Sequence, residues 1–316
     1  MSAARSPEGA CTAERSPKVL PVAFCLKDWS AERLQRTEAA LSAWVPAWVP
    51  AGLGEAMRYA VLDGGKRLRP LLVLGACEAV GGNEHAALRA GCAVELIHAY
   101  SLVHDDMPCM DDDVLRRGKP TVHVQFGEAT ALLAGDALQA LAFELLAPED
   151  AGIPDRTQAR LCRLLARAAG HAGMAGGQAI DLAAVGRSLT EEQLRQMHRL
   201  KTGALLQASV MMGAACGEPD AKALAGLRDY GAALGLAFQV VDDILDVTAD
   251  SATLGKTAGK DAAQDKPTYV SLLGLERARS HATELLEQAR AALQTTGLSD
   301  TRALLALAQM VVHRDN

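Results

Sequence analysis

Two clusters of aspartates, about 130 residues apart, constrain the fold of this chain more than any other feature. The first spans Asp105 to Asp113 and the second spans Asp242 to Asp246. Each follows an apolar run with helical spacing, at residues 99–103 and 234–241. Carboxylates gathered at the ends of buried helices repel one another unless cations compensate them. The fold therefore has to bring two distant helix ends to a place where cations bind.

The rest of the chain predicts an all-α fold. Ala and Leu, the strongest helix formers, dominate it, whereas only 3% of its 316 residues are aromatic. We expect a tail over residues 1–27 and a single domain over 28–316. Ser30 is a candidate helix cap, Thr190 to Gln193 has the form of a capping box, and residues 128–147 predict one helix. Predicted helix breaks fall at Pro46 and Pro50, Gly81-Gly82, Pro148 to Pro154, Gly217 to Pro219, and Asp250 to Pro267.

Charge and cysteine usage exclude several classes of protein. A net charge of −6 gives no positive field to attract nucleic acid. The longest uncharged apolar run, residues 203–217, is shorter than the roughly 20 residues a membrane span needs, so none is expected. Seven cysteines without a C-x-x-C pair predict neither a disulfide framework nor a zinc site. We expect a cytoplasmic protein.

The aspartate spacing indicates Mg²⁺. Asp242 and Asp246 are four residues apart and share one helix face. Asp105 and Asp111 are six apart, so we expect the chain at Pro108 to leave the helix and bring Asp111 back towards Asp105. Carboxylates without soft ligands suit Mg²⁺, which completes its shell with water and phosphate. An EF-hand is excluded because its loop glycine and terminal glutamate are missing.

Basic clusters alternate with the acidic ones along the chain. Arginine grips phosphate oxygens bidentately and lysine supplies a compact charge. The pattern indicates two anionic groups, one bridged by metal and the other held by protein cations. The candidates are Gly64-Gly65-Lys66-Arg67-Leu68-Arg69-Pro70, Arg116-Arg117-Gly118-Lys119, Lys201-Thr202-Gly203, and Lys256, Lys260 and Lys266.

Together these motifs resemble the polyprenyl synthetase family of trans-prenyltransferases, in its bacterial farnesyl diphosphate synthase branch. The resemblance extends from about Trp29 to the C-terminus and keeps the family order. Besides the acidic and basic clusters, it is carried by His98, Pro120-Thr121, Gly176-Gly177-Gln178 and Phe238-Gln239.

The resemblance implies an isoprenoid-synthase helical bundle around a central cavity, usually a homodimer, with three Mg²⁺ ions. It assigns the metal to Asp105, Asp106, Asp111, Asp242 and Asp246. It places the allylic diphosphate on Arg116, Lys201, Thr202, Gln239 and Lys256, of which Lys201, Thr202 and Gln239 are catalytic. It places isopentenyl diphosphate on Gly65, Lys66, Arg69, His98 and Arg117, whereas His104 is expected to be structural.

The implied reaction ionises an allylic diphosphate, joins the cation to isopentenyl diphosphate and stops at fifteen carbons. Tyr100, about 7.5 Å along the helix from Asp105, is the expected floor that halts growth. A geranylgeranyl or geranyl synthase shares every motif. A terpene cyclase has no need of the isopentenyl cations, and a hydrolase needs no second substrate site. A non-catalytic partner subunit would have lost one of the clusters.

Overall fold

A computed structural model describes residues 24–62, 64–149, 152–187, 189–248 and 268–314. In these ranges the chain is almost entirely helical, which confirms the all-α prediction. The helices are α1 (Leu26–Trp44), a 3₁₀ turn (Pro50–Gly52), α2 (Leu53–Val61), α3 (Leu68–Ala79), α4 (Glu84–Asp105), α5 (Val122–Phe126), α6 (Glu128–Leu146), α7 (Asp155–Ala169), α8 (Met174–Ala184), α9 (Glu191–His198), a π-helical segment (Arg199–Gly203), α10 (Ala204–Ala215), α11 (Ala221–Thr248), α12 (Tyr269–Leu273), α13 (Leu275–Thr295) and α14 (Arg302–Val312). A two-residue antiparallel pair, β1 (Leu115–Arg116) with β2 (Lys119–Pro120), lies between α4 and α5.

The helices that carry the aspartate clusters form the centre of the bundle. Helix α4 packs between α3 and α6, while α10 packs against both α3 and α11. Small residues let these helices approach closely. A Cβ at Gly213 of α10 would lie 2.1 Å from the Val73 carbonyl oxygen of α3. Because α4 and α11 are held in one packed core, their C-terminal ends are fixed relative to each other.

Most predicted local signals are found in the structure. Thr190 and Gln193 form the expected capping box at the start of α9. Helix α6 matches the predicted helix, and loops occupy the breaks at residues 45–49, 80–83, 147–149, 152–154 and 216–220. The last predicted break, residues 250–267, lies outside the described residues.

Ser30 does not cap a helix. Helix α1 begins at Leu26, inside the stretch expected to be tail, and the Ser30 hydroxyl donates to the Lys27 carbonyl oxygen at 3.1 Å within it. The indole of Trp29 donates to Glu78 at 2.8 Å and so ties the first turn of α1 to α3. This tertiary contact starts the helix earlier than the local cap signal indicates.

Two helices have the length and composition of a membrane span, namely α4 and α6. In α4, 72% of the apolar 18-residue stretch is buried inside the protein, as in a core helix. In α6 only 39% is buried, and Leu132 and Leu133 are exposed. Helix α6 therefore presents an apolar surface that the described residues do not cover.

Candidate active site

The first aspartate cluster folds back on the end of its own helix. Helix α4 ends at Asp105, and the Asp111 amide donates to the Asp105 carbonyl oxygen at 2.9 Å. The Asp113 amide donates to the Asp106 carbonyl oxygen at 3.1 Å in the same way. This is the return of the chain that the Asp105–Asp111 spacing and Pro108 predict.

Asp105 carries a charge that the surrounding protein disfavours. Burial and the neighbouring Asp111 and Asp106 raise its pKa to about 6, against the opposing effect of Lys201 and Arg116. A buried carboxylate whose charge is disfavoured in this way is stabilised when a cation binds beside it. This electrostatic state fits a site that takes up a divalent metal.

Asp106 has a different environment from Asp105. Its side chain is 3% exposed, and both carboxylate oxygens accept hydrogen bonds from the Arg116 guanidinium, at distances from 2.5 to 3.0 Å. Both oxygens are directed at Arg116, so Asp106 holds this guanidinium in the structure, and its metal role stays a prediction. Asp106 orients Arg116, which is expected to meet the allylic diphosphate.

The second cluster lies in the last turns of α11. Asp242 is partly exposed, whereas Asp246 and Asp243 are buried. Asp243 accepts a hydrogen bond of 2.7 Å from the Tyr269 amide, which secures the start of α12. The Arg314 guanidinium binds the Asp242 carboxylate, a contact between residues 72 positions apart. Asp242 is thus the member of this cluster that faces other functional groups.

The five residues predicted to bind isopentenyl diphosphate meet in one cavity of about 740 Å³, which we call the cation cavity. Its volume lies in the range of small-ligand sites. Burial and the surrounding arginines, Arg69 foremost, lower the pKa of His98 well below its ordinary value. A neutral imidazole among cations can accept or donate a hydrogen bond without adding charge. The lining includes Gly65, Lys66, Arg69, His98 and Arg117, together with Phe238, Glu95, His313 and Arg314.

The glycine loop before α3 shapes this cavity. Gly65 has φ of +124°, and a Cβ there would lie 3.0 Å from Nη2 of Arg117. The other nitrogen, Nη1, donates to the Gly64 carbonyl oxygen at 2.6 Å. Glycine at position 65 thus allows the backbone to adopt this conformation and gives the Arg117 guanidinium room.

A second cavity, of about 400 Å³, lies below the first aspartate cluster, and we call it the apolar cavity. Arg69 and His98 line both cavities, so the two adjoin. Tyr100 lies in the wall of the apolar cavity, with its ring 5.7 Å from the His104 ring in an edge-to-face contact. His104 Nε2 lies 3.1 Å from the Leu132 carbonyl oxygen, as expected for a structural histidine. The lining also includes Asp105, Met110, Met174, Leu182, Lys201 and Thr202.

Lys201 and Thr202 project from the π-helical segment, a distortion that often marks functional sites. Close packing fixes this segment, since a Cβ at Gly177 would lie 2.1 Å from the Lys201 backbone nitrogen. Lys201 Nζ lies 2.5 Å from Oδ2 of the buried Asp181. Burial lowers the pKa of Lys201, but Asp181, and then Asp105 and Asp111, raise it above its ordinary value. Lys201 is therefore a fixed positive charge beside the first cluster.

Sequence reasoning missed two residues of this site, Asp181 and Arg314, and named one that cannot be placed. Lys256 lies outside the described residues. Gln239 is half-buried in α11, three residues before Asp242 and hence on nearly the same helix face. Asp181 and Arg314 act through ion pairs with distant residues. Arg67, buried to 4% exposure, pairs with Glu38 and Glu95.

The acidic groups suit Mg²⁺ by their chemistry. Asp105, Asp111 and Asp242 supply only hard oxygen donors. Among the described residues no group of three or more His, Cys, Asp or Glu side chains forms a ready-made metal cage. Mg²⁺ typically binds one or two protein carboxylates and shares substrate phosphates. The oxygen donors of this site fit that ion.

Comparisons with known proteins agree with this geometry. A family model described as Polyprenyl synthetase matches residues 50–306. The chain is 50% identical over 265 residues to the farnesyl diphosphate synthase of Escherichia coli (strain K12), covering 83% of this chain and 89% of that protein. It is also 50% identical over 264 residues to a chloroplastic geranylgeranyl pyrophosphate synthase of Capsicum annuum, covering 83% and 71%.

A solved structure extends the similarity to the fold. The geranyltransferase from Helicobacter pylori, complexed with magnesium and isoprenyl diphosphate, matches with a TM-score of 0.79 at 34% identity. The match covers 93% of this chain and 98% of that one. With a family model over most of its length and relatives at 50% identity, this chain belongs to the polyprenyl synthetase family.

Proposed function

We propose that this protein catalyses the Mg²⁺-dependent, head-to-tail condensation of isopentenyl diphosphate with dimethylallyl and then geranyl diphosphate, giving farnesyl diphosphate. The single observation that carries the proposal is the pair of adjoining cavities. One is lined by cations and the other is largely apolar, and they share Arg69 and His98. A cationic cavity suits a diphosphate that is bound without being cleaved. An apolar cavity below an aspartate cluster suits a growing prenyl chain.

The allylic diphosphate would bind where the aspartates and Lys201 converge. Asp181 holds the Lys201 ammonium in place and keeps it charged, so the lysine can stabilise negative charge as the diphosphate departs. Arg116, oriented by Asp106, adds a second positive group. Thr202 and Gln239 provide polar atoms near the cationic carbon.

Magnesium held by Asp105, Asp111 and Asp242 would supply Lewis-acid stabilisation of the leaving diphosphate. We propose three ions, with the Helicobacter pylori complex as the precedent for the metal itself. Asp246 has the spacing of a supporting acid one turn after Asp242.

Isopentenyl diphosphate would bind in the cation cavity with its diphosphate among Lys66, Arg69 and Arg117. His98 stays neutral there and provides a hydrogen bond without extra charge. The two cavities adjoin at Arg69, which would place the double bond of this substrate next to the allylic carbon. Water must be kept from the allylic cation during the reaction, because hydrolysis would otherwise compete with coupling.

Tyr100 supports a fifteen-carbon product over a longer one. Its ring narrows the apolar cavity below Asp105, where each added isoprene unit would have to extend. The relatives include both a farnesyl and a geranylgeranyl synthase at 50% identity, so identity alone does not choose between them. A geranylgeranyl product is the second candidate.

We also propose a homodimer in the cytoplasm. The apolar surface of α6, with Leu132 and Leu133 exposed, is suited to burial against a second copy. The net charge of −6 favours a soluble protein over one bound to anionic lipid.

The decisive experiment is incubation of the purified protein with Mg²⁺, labelled isopentenyl diphosphate and either dimethylallyl or geranyl diphosphate. We expect a fifteen-carbon product from both primers, and no product when the metal is chelated. A main product of twenty carbons would replace the farnesyl assignment. Free prenyl alcohol without coupling would overturn the condensation reaction.

A further inference from the structure

Arg314 follows the last turn of α14 and folds back over α11. Its guanidinium donates to the Asp242 carboxylate and, at 3.0 Å, to the Phe238 carbonyl oxygen. The same group lies 4.1 Å from the centre of the Phe238 ring, which adds a cation–π contact. With its side chain only 12% exposed, Arg314 is held in one orientation by these contacts together.

This arrangement places the Arg314 guanidinium in a cavity that other cations also line. Lys66 and Arg69 line the same cavity as Arg314, and both also interact electrostatically with Asp242. Arg314 itself disfavours the charge on Lys66. Asp242 is therefore the anion that balances the guanidinium in the absence of ligands, and the position of Arg314 depends on Asp242 remaining available.

A metal ion bound at Asp242 would need the same carboxylate that Arg314 binds. A divalent cation needs a carboxylate oxygen of this residue and repels a guanidinium bound to the same group. We infer that Arg314 and a divalent cation compete for Asp242, so that the C-terminal guanidinium sets how readily this aspartate takes up metal. This inference rests on the proposed function, because it assumes that Asp242 is a metal ligand.

The competition couples the second aspartate cluster to the cation cavity. A guanidinium displaced from Asp242 stays in the wall of the cation cavity, where it adds positive charge for a second diphosphate. Because coupling between sites is reciprocal, an anion that attracts Arg314 into the cation cavity also makes Asp242 more available to metal. Metal uptake at the second cluster and occupation of the cation cavity then favour each other.

The test measures metal binding without catalysis. Mn²⁺ is titrated into substrate-free protein, alone and with inorganic diphosphate, and free Mn²⁺ is read by electron paramagnetic resonance. Removing the competitor in Arg314→Gln is expected to tighten Mn²⁺ binding by about three- to tenfold, the size of a partly exposed ion pair. In the Asp242→Asn background the same substitution should leave the affinity unchanged. Arg277→Gln, which removes an exposed cation of another ion pair, is the matched control.

Circular dichroism during heating checks that each variant folds. If Arg314→Gln does not fold, Arg314→Lys replaces it in the titration. The lysine keeps the positive charge but lacks the second nitrogen of the guanidinium. Mn²⁺ binding should therefore tighten less than in Arg314→Gln. Unchanged or weaker Mn²⁺ binding in both variants would overturn the competition. Because no product is formed, that result is distinguishable from failure of the condensation assay.

Discussion

Lys201 Nζ lies 2.5 Å from Oδ2 of Asp181, and this contact joins the π-helical segment to α8. Asp181 is buried, so its carboxylate charge is stabilised by a charged partner. The pair sets both the position and the charge of the lysine that faces the first aspartate cluster. Its geometry makes Asp181 a positioning residue for catalysis.

We expect Asp181→Asn to lower turnover by about ten- to a hundredfold, because a mobile, more readily deprotonated Lys201 stabilises the leaving diphosphate less well. Without Asp181 the pKa of Lys201 falls, since burial is then less opposed. The alkaline limb of the kcat profile should therefore move to lower pH. Asp181→Glu should restore part of the rate, and the exposed Asp136→Asn is the control. An unshifted alkaline limb would show that Asp181 does not act through Lys201.

Tyr100 is expected to limit product length. Replacing its ring in Tyr100→Ala deepens the apolar cavity and should shift the main product from fifteen carbons to twenty or more. Tyr100→Phe keeps the ring and should preserve the fifteen-carbon product. Chromatography of dephosphorylated labelled products measures both. An identical product distribution in Tyr100→Ala and the parent protein would remove Tyr100 from the role of floor.

Gly65 is expected to control the second substrate through Arg117. Gly65→Ala introduces a Cβ 3.0 Å from the Arg117 guanidinium at a φ of +124°, so Arg117 must move. The KM for isopentenyl diphosphate should rise about tenfold, the cost of one charge-assisted hydrogen bond, while the KM for the allylic primer changes little. Gly64→Ala adds a Cβ at another glycine of positive φ, +76°, but this Cβ meets no atom within 4 Å. Equal effects of the two substitutions would assign the loss to strain alone.

Much of this site could be predicted from sequence because its parts are local. The turn from Asp105 to Asp111 follows from spacing and one proline. The structure brings the five predicted isopentenyl ligands together in one cavity, although their binding role is still a prediction. Arg314 could not be found in this way, since its partner Asp242 lies 72 residues away and no local pattern marks the pair. The pairing of Asp106 with Arg116 was missed as well, because a carboxylate beside predicted metal ligands looks like another ligand until its guanidinium partner is seen.

Metal affinity should depend on pH through Asp105. Its pKa is raised to about 6 by burial first and by Asp111 among its neighbours, so protons compete with metal below that pH. We expect Mn²⁺ binding to weaken between pH 7 and pH 5. In the metal-free protein, the folded state retains a proton that the unfolded chain releases between about pH 4 and 6. The contribution of this group to unfolding free energy therefore falls as pH rises through that window.

Asp111→Asn tests the cause of this pH dependence. Removing the like charge should lower the pKa of Asp105 and move the fall in Mn²⁺ affinity to lower pH, even though one donor is lost. Calorimetric titration at a series of pH values gives the Mn²⁺ affinity and, separately, the pH midpoint of its fall. A pH midpoint that does not move would show that Asp111 does not contribute to the raised pKa of Asp105.

Arg67 is expected to stabilise the loop on which the isopentenyl ligands lie. Its guanidinium donates to Glu38 at 2.6 Å, to Glu95 at 2.9 Å and to the Val61 carbonyl oxygen at 2.6 Å. Glu95 is only 4% exposed at its side chain, so Arg67→Met leaves a buried carboxylate without its cation. We expect the free energy of unfolding to fall by about 3–5 kcal/mol.

Arg302→Met, which breaks an exposed pair with Asp300, is the control for Arg67→Met and should lower stability far less. Urea unfolding followed by circular dichroism measures both losses. The double substitution Arg67→Met with Glu95→Gln should recover part of the loss, because it removes the buried charge as well as its partner. If the single and double variants lose the same stability, burial of the Glu95 charge is not the cause, and Arg67 stabilises the loop through Glu38 and Val61.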